Sequence, residues 1–339
     1  MSVKRNIDEI LSDTLPLKSK PRYLKAWSDF VEFADCENSK PSEEDYIQWF
    51  DHLKTVKNMQ ASSLWSEYSK LNWIHQRKFS EKLQIYPRLT QQLKSYNADY
   101  VRTVATQFTK SQLNEFLKDD TLCSPFWTVR KAIVVLMVSG GLRSMELKDL
   151  QVGDVVEKGD IYEVNFKRVK QRGEKTSAKF VVDSEGSRHV RKYLNDVRTQ
   201  FGELDGQLIK GTPVTKGQSK YVNQNMGKNT IMEIGKDIAR KLDLPNPDTY
   251  TSHTFRRSSA TFAVESGATT AEMLPFYGWS SESTAQRYVE TSAVLSDNMS
   301  TRLSVQNVQQ TITTVQKSPS NVNKYYKITA EAGSTLQFN

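Results

Sequence analysis

Between Lys20 and Ala34, apolar residues recur at Tyr23, Trp27, Phe30 and Phe33 with charged residues between them. That spacing follows the 3.6-residue turn and predicts an amphipathic helix. Ser42 and the acidic residues after it mark a second helix start, with Tyr46, Trp49, Phe50 and Leu53 as its apolar stripe. Leu64, Tyr68, Leu71 and Ile74 trace a third helix, and residues 83–97 a fourth. Residues 15–98 therefore read as a small helical bundle whose aromatics form a core rather than a stacking surface. The other face of the third helix carries Lys70, Arg77 and Lys78, either a solvated face or a set of phosphate contacts.

The helical period lapses over NADYVRTVATQ, so residues 99–108 read as a linker between a domain over 1–98 and a larger one over 109–300. Thr109 opens a capping-box pattern, T-K-S-Q, ahead of the apolar run in QLNEFL. In SPFWTVRKAIVVLMVSGG, Pro125 suits a first helical turn, and Gly140 with Gly141 ends the helix. LRSMELKDL begins another. From residue 161 alternation replaces helical spacing: IYEVNFKRV and SAKFVVD predict a β-hairpin across the charged loop KQRGEKT. Helices are predicted again over 185–199, 227–242, 254–266, 269–276 and 280–290. The predicted fold is mainly α with a small antiparallel β-sheet. In the polar tail over 301–339, Val305, Val308, Ile312 and Val315 fall at near-helical spacing, compatible with docking on a second copy of the chain or with a frayed end.

Composition narrows the functional classes. The chain has 339 residues, 37% of them hydrophobic and 25% charged, as in soluble globular proteins. A net charge of +8 favours polyanionic partners, without separating nucleic acid from other anionic surfaces. No apolar run reaches the length of a membrane span, and MSVKRNIDEILSD lacks the apolar centre of a signal peptide. An intracellular protein without a membrane partner is expected. Cys36 and Cys123 are the only cysteines and the four histidines lack metal-ligand spacing, so neither a disulfide framework nor a metal or other cofactor is predicted.

Three short patterns carry possible chemistry. In GGLRSMEL, Arg143 and Glu146 stand three residues apart, so the acid can orient the guanidinium; a plain surface ion pair has the same spacing. In HTFRR, His253 and Arg256 share a helix face and can reach one anion, the fork of donors suiting a phosphate and the imidazole a proton transfer. Arg257 lies about 100° further round, toward solvent or another phosphate. In GWSSESTAQRYVE, Trp279 offers an indole N–H and Tyr288 a phenol able to act as nucleophile, although both residue types also serve as core.

Taken in order, Arg143, a hairpin lysine, His253-x-x-Arg256, Trp279 and Tyr288 form a pattern that resembles the tyrosine recombinases and phage-type integrases. The resemblance covers residues 109–292, and the preceding bundle is similar to the family's core-binding domain. Trp279 stands where most members have histidine, though some active members have tryptophan. Either Lys170 or Lys175 occupies the lysine position, Lys170 standing at the strand-to-turn boundary. The wording of GGLRSMEL and FTKSQLNEFL is most similar to recombinases of Crypton-type eukaryotic mobile elements.

The resemblance implies a clamp-like protein acting on double-stranded DNA as a homodimer to homotetramer, in the nucleus if the source is eukaryotic and otherwise in the cytoplasm. It implies cutting and rejoining through a 3′-phosphotyrosine on Tyr288, with no metal. Arg143 and Arg256 would stabilise the phosphate charge, with Glu146 holding Arg143. His253 would exchange the phenol proton, and the lysine would protonate the leaving 5′-oxygen. A type IB topoisomerase-like relaxase and a silent, domesticated DNA-binding protein are the alternatives.

Overall fold

The computed structural model describes residues 19–37, 39–98, 105–169, 175–290, 313–315 and 328–330. The chain divides into two compact units, Met1–Val104 and Ala105–Asn339.

The first unit is helical: α1 (Lys20–Ala34), α2 (Glu43–Thr55), α3 (Ala61–Phe79) and α4 (Pro87–Ser95). The Ser42 hydroxyl accepts from the Asp45 amide while the Asp45 carboxylate accepts from the Ser42 amide, so two N–H groups at the start of α2 are satisfied. The predicted stripes of α2 and α3 are buried throughout. On α1 the buried positions are Ala26 and Phe30, whereas Phe33 is 40% exposed and lies at the edge of the core against Trp49 and His52. The single helix expected over 83–97 is instead a 3-10 turn at Leu83–Ile85 followed by α4, because Pro87 has no N–H and starts a helix rather than continuing one. Phe30 and Tyr46 stack at 4.5 Å in the core, and His75, fully buried, shares a 2.8 Å hydrogen bond between its Nδ1 and the Tyr46 hydroxyl.

The second unit is built on α6 (Pro125–Ser139), preceded by α5 (Lys110–Lys118). From Thr128 to Met137 every residue of α6 is buried, as expected for a helix wrapped on all sides. Even Arg130 is inside, donating to Asp237 at 3.0 and 2.5 Å with its guanidinium 3.3 Å from the Phe126 ring centroid. After α7 (Ser144–Asp149) comes an antiparallel sheet ordered β1-β2-β3, formed by Val155–Lys158, Ile161–Val169 and Lys175–Val182. Its core register sets Val164 opposite Phe180. The hairpin was expected; β1 was not, since its VVEK has no clear alternation and its residues are mostly exposed.

Next come α8 (Ser184–Phe201) and four short strands, Lys210–Gly211, Val214–Thr215, Gln218–Ser219 and Val222–Asn225 (β4 to β7), paired β4 with β7 and β5 with β6. Sequence reading took this stretch as a connection. Helices α9 (Lys228–Lys241), α10 (Thr254–Glu265), α11 (Thr270–Tyr277) and α12 (Glu282–Glu290) follow. In the tail, Val305, Val308 and Ile312 lie outside the described residues. Val315 belongs to β8 (Thr313–Val315), paired with β9 (Ile328–Ala330), so the helical spacing does not extend to it. The fold is mainly α with small antiparallel sheets.

Candidate active site

The Gly140–Gly141 break sets up the first arginine. Gly141 has φ +54°, and a Cβ there would overlap the Tyr277 ring. The chain can thus turn at once into α7, leaving Arg143 as the extended residue that caps it rather than as a residue inside the helix. The Arg143 amide donates to Glu146 Oε2 at 2.8 Å and its Nη1 to Oε1 at 2.7 Å. Its side chain is 37% exposed and that of Glu146 only 6%, so the acid anchors a guanidinium that still faces outward.

Two more guanidiniums reach the same carboxylate. Arg168, on β2, donates from Nε to Glu146 Oε1 at 3.2 Å and from Nη1 to the Phe276 carbonyl. Arg256, on α10, lies 3.9 Å from Glu146 Oε2 and donates to the carbonyls of Gly141, at 2.5 Å, and Tyr277. Successive carbonyls at the end of α11, where the helix dipole is negative, are therefore capped by two different arginines. Gly278 continues that corner with φ +60°, and a Cβ on it would run into the Arg168 side chain. Burial, then the Arg143 charge, lowers the Arg256 pKa to about 10, and it remains cationic near neutrality. One carboxylate thus serves three guanidiniums, and the surplus is positive.

The α11–α12 corner brings aromatic rings to this charge. Trp279 stacks on Tyr277 at 4.6 Å and on Tyr288 at 5.3 Å, the second pair only 5° from parallel. The Arg256 Cζ lies 5.6 Å from the Trp279 ring centroid. Tyr288, on α12, is half-buried. His253 caps α10 and is open to solvent at one edge. Desolvation of its inner part, reinforced by the charges of Arg256, Arg143 and Arg257, holds its pKa below the ordinary histidine value, so the neutral, proton-accepting form prevails at pH 7. An oxyanion would find an outward guanidinium, a buried one behind it, a neutral imidazole and a phenol in one neighbourhood.

The Phage integrase family model matches residues 106–294, more than half of the chain. The chain belongs to the phage integrase family. Its segment of 190 residues is 26% identical to tyrosine recombinase XerC of Treponema denticola, covering 56% of this chain and 60% of that relative, so the match spans less than two thirds of the relative's length. Among solved structures, the Tn1549 transposon integrase in complex with circular intermediate DNA shares the fold with a TM-score of 0.56 at 14% identity, over 87% of this chain and 99% of that one. XerH recombinase bound to a palindromic difH substrate does so with 0.53 at 13%, over 88% and 84%.

Within this integrase-family unit, the structure brings together Arg143, Glu146, His253, Arg256, Trp279 and Tyr288. Arg257, expected to face solvent or a second phosphate, is partly exposed and has its Cζ 5.7 Å from the Tyr288 ring centroid. Lys170 lies outside the described residues; Lys175 opens β3 opposite Val169. Lys70, Arg77 and Lys78 belong to the other unit. There Lys70 is paired with Glu67, Arg77 lies 3.5 Å from the Trp73 ring centroid, and Lys78 lies 5.9 Å from that of Trp27. Arg168 was missed. Its signal is parity: Tyr162, Val164, Phe166 and Arg168 alternate along β2, and all four are at most 5% exposed.

Proposed function

We propose that the chain is a DNA strand-exchange recombinase that cuts and rejoins double-stranded DNA through a covalent 3′-phosphotyrosine. The observation that carries this reading is the meeting of Tyr288, through Trp279, with an arginine cluster organised by Glu146. In the reaction, Tyr288 Oη attacks the scissile phosphorus and its proton passes to His253. The P–O5′ bond breaks, and the 5′-oxygen leaves with a proton from Lys170, or from Lys175 as the alternative. Attack by a 5′-hydroxyl on the phosphotyrosine reverses these transfers, so one phosphodiester replaces another and no energy source is needed. Arg143 would meet the non-bridging oxygens directly, with Arg256 supplying charge from behind. Donors of this kind are worth about 2.7–4 kcal/mol each in the transition state.

The same reading assigns the first unit a DNA-holding role through Lys70, Arg77 and Lys78. It makes the active form a homodimer to homotetramer on DNA. Integration or excision of a mobile element, of Crypton type by its sequence wording, is the biological setting.

The test is to incubate the protein and its Tyr288→Phe variant with nicked or bubble-bearing DNA in EDTA and look for a denaturation-resistant adduct. An adduct with wild type alone is expected. Tight binding without adduct would favour the silent binder, and relaxation of supercoils without strand exchange would favour the topoisomerase-like alternative. Since His253 must accept a proton and its pKa is depressed, the acid limb of the cleavage rate should lie below pH 6.5.

A further inference from the structure

Arg256 and Arg257 are consecutive, yet they do different things. Arg256 is 5% exposed and spends its Nη1 and Nη2 on the carbonyls of Gly141 and Tyr277. One residue on, about 100° further round α10, the Arg257 side chain turns to the helix that carries the phenol. Its Cζ lies 5.7 Å from the Tyr288 ring centroid, and its Nε is buried with no hydrogen-bond partner among the described residues. Its backbone amide is tied to the His253 carbonyl at 3.0 Å, so the first turn of α10 fixes its origin. A guanidinium with an unspent buried donor, set near an aromatic ring, is held there by the ring's electron-rich face and by planarity.

We propose that Arg257 is a positioning residue for Tyr288, docking the phenol ring against Trp279 so that the nucleophile is placed beside the Arg256 cluster before DNA is cut. The proposal rests on the reading of Tyr288 as the nucleophile. It gives a single helical turn two tasks: Arg256 organises the charge that receives the phosphate, and Arg257 sets where the attacking ring stands. Holding a nucleophile in place removes rotational freedom that the reaction would otherwise have to remove. It also replaces the alternative in which Arg257 contacts a second DNA phosphate.

The test uses the full chain as wild type, Arg257→Gln, which is planar but uncharged, and Arg257→Lys, which keeps the charge. Brief tetranitromethane treatment without DNA, followed by peptide mass spectrometry, reads the reactivity of Tyr288 against Tyr96 of the first unit as internal standard. Tyr288 labelling should rise severalfold in Arg257→Gln and less in Arg257→Lys. In single-turnover cleavage of nicked DNA, Arg257→Gln should lower the rate constant of adduct formation by about tenfold. Arg257→Lys should fall between it and wild type, and the affinity for DNA should change less than twofold for both.

Unchanged labelling of Tyr288 in Arg257→Gln would overturn the proposal, as would cleavage at the wild-type rate. A loss of DNA affinity matching the loss of rate, with one unit less salt dependence, would return Arg257 to a phosphate contact. If no form of the protein makes an adduct, the recombinase reading fails, while the labelling still decides whether Arg257 holds the ring.

Discussion

In the first unit Arg77 and Lys78 lie against the rings of Trp73 and Trp27 while the interior is filled by stacked aromatics. In the second, Arg143, Arg168 and Arg256 converge on Glu146, and two of the three are at most 5% exposed. Aromatic burial is favourable in itself. Burying guanidiniums costs desolvation, which one carboxylate and a set of carbonyls offset only in part. The second arrangement therefore concentrates positive charge that surrounding structure keeps in place, whereas the interior of the first is held by aromatic packing.

The comparison breaks most sharply at Glu146. Replacing it with Ala leaves the buried guanidiniums without their carboxylate and should destabilise the second unit by about 3–5 kcal/mol. Hydrogen exchange on the whole chain should show the loss within residues 105–290 and spare residues 19–98; equal loss in both would defeat the distinction. Next in size is Arg143→Ala. It removes the outward guanidinium but no buried contact between elements, so single-turnover cleavage should fall about 10²–10³-fold while DNA binding and the denaturation midpoint change little.

The first unit has its own titration. His75 has its pKa lowered by burial from 6.5 to about 4, so between those values the unfolded chain binds the proton more readily. Its contribution is complete above pH 6.5 and is lost as pH falls toward about 4, up to about 3 kcal/mol. Thermal denaturation of the first unit should follow that window, and His75→Asn should flatten it. The smallest expected effect is a shared one. Ser42→Ala and Thr109→Ala each remove a capping box, one per unit, and should each cost about 1 kcal/mol by chemical denaturation. Equal losses would show that the units differ in where they bury charge, not in how their helices begin.

Local patterns were legible. The stripes of α2 and α3, the capping box at Thr109, the hairpin and the order of the later helices follow from spacing and from the few residues able to cap or break a helix. What escaped was short or irregular: β1, the pairs at 210–225, and the break at Pro87. Of the site, Arg143, Glu146, His253, Arg256, Trp279 and Tyr288 were readable as an ordered set, but not their mutual geometry. Arg168 was not singled out among the basic residues of the hairpin, although its parity with Tyr162, Val164 and Phe166 placed it inward. The nearness of Arg257 to Tyr288 was not legible, because helical angle alone says where a side chain departs, not what another helix brings to meet it.

The sequence by itself determined which segments become helices, which strands form the hairpin, and which residue types are available to hold a phosphate and attack it. These depend on neighbours within a turn or two, where periodicity and capping act. Only the tertiary structure decided that Arg168 meets a carbonyl 108 residues away, that Arg256 meets one 115 away, and that Arg257 turns to Tyr288. Those contacts depend on how closely packed elements approach, through Gly141 and Gly278 among others, and no local period encodes that distance.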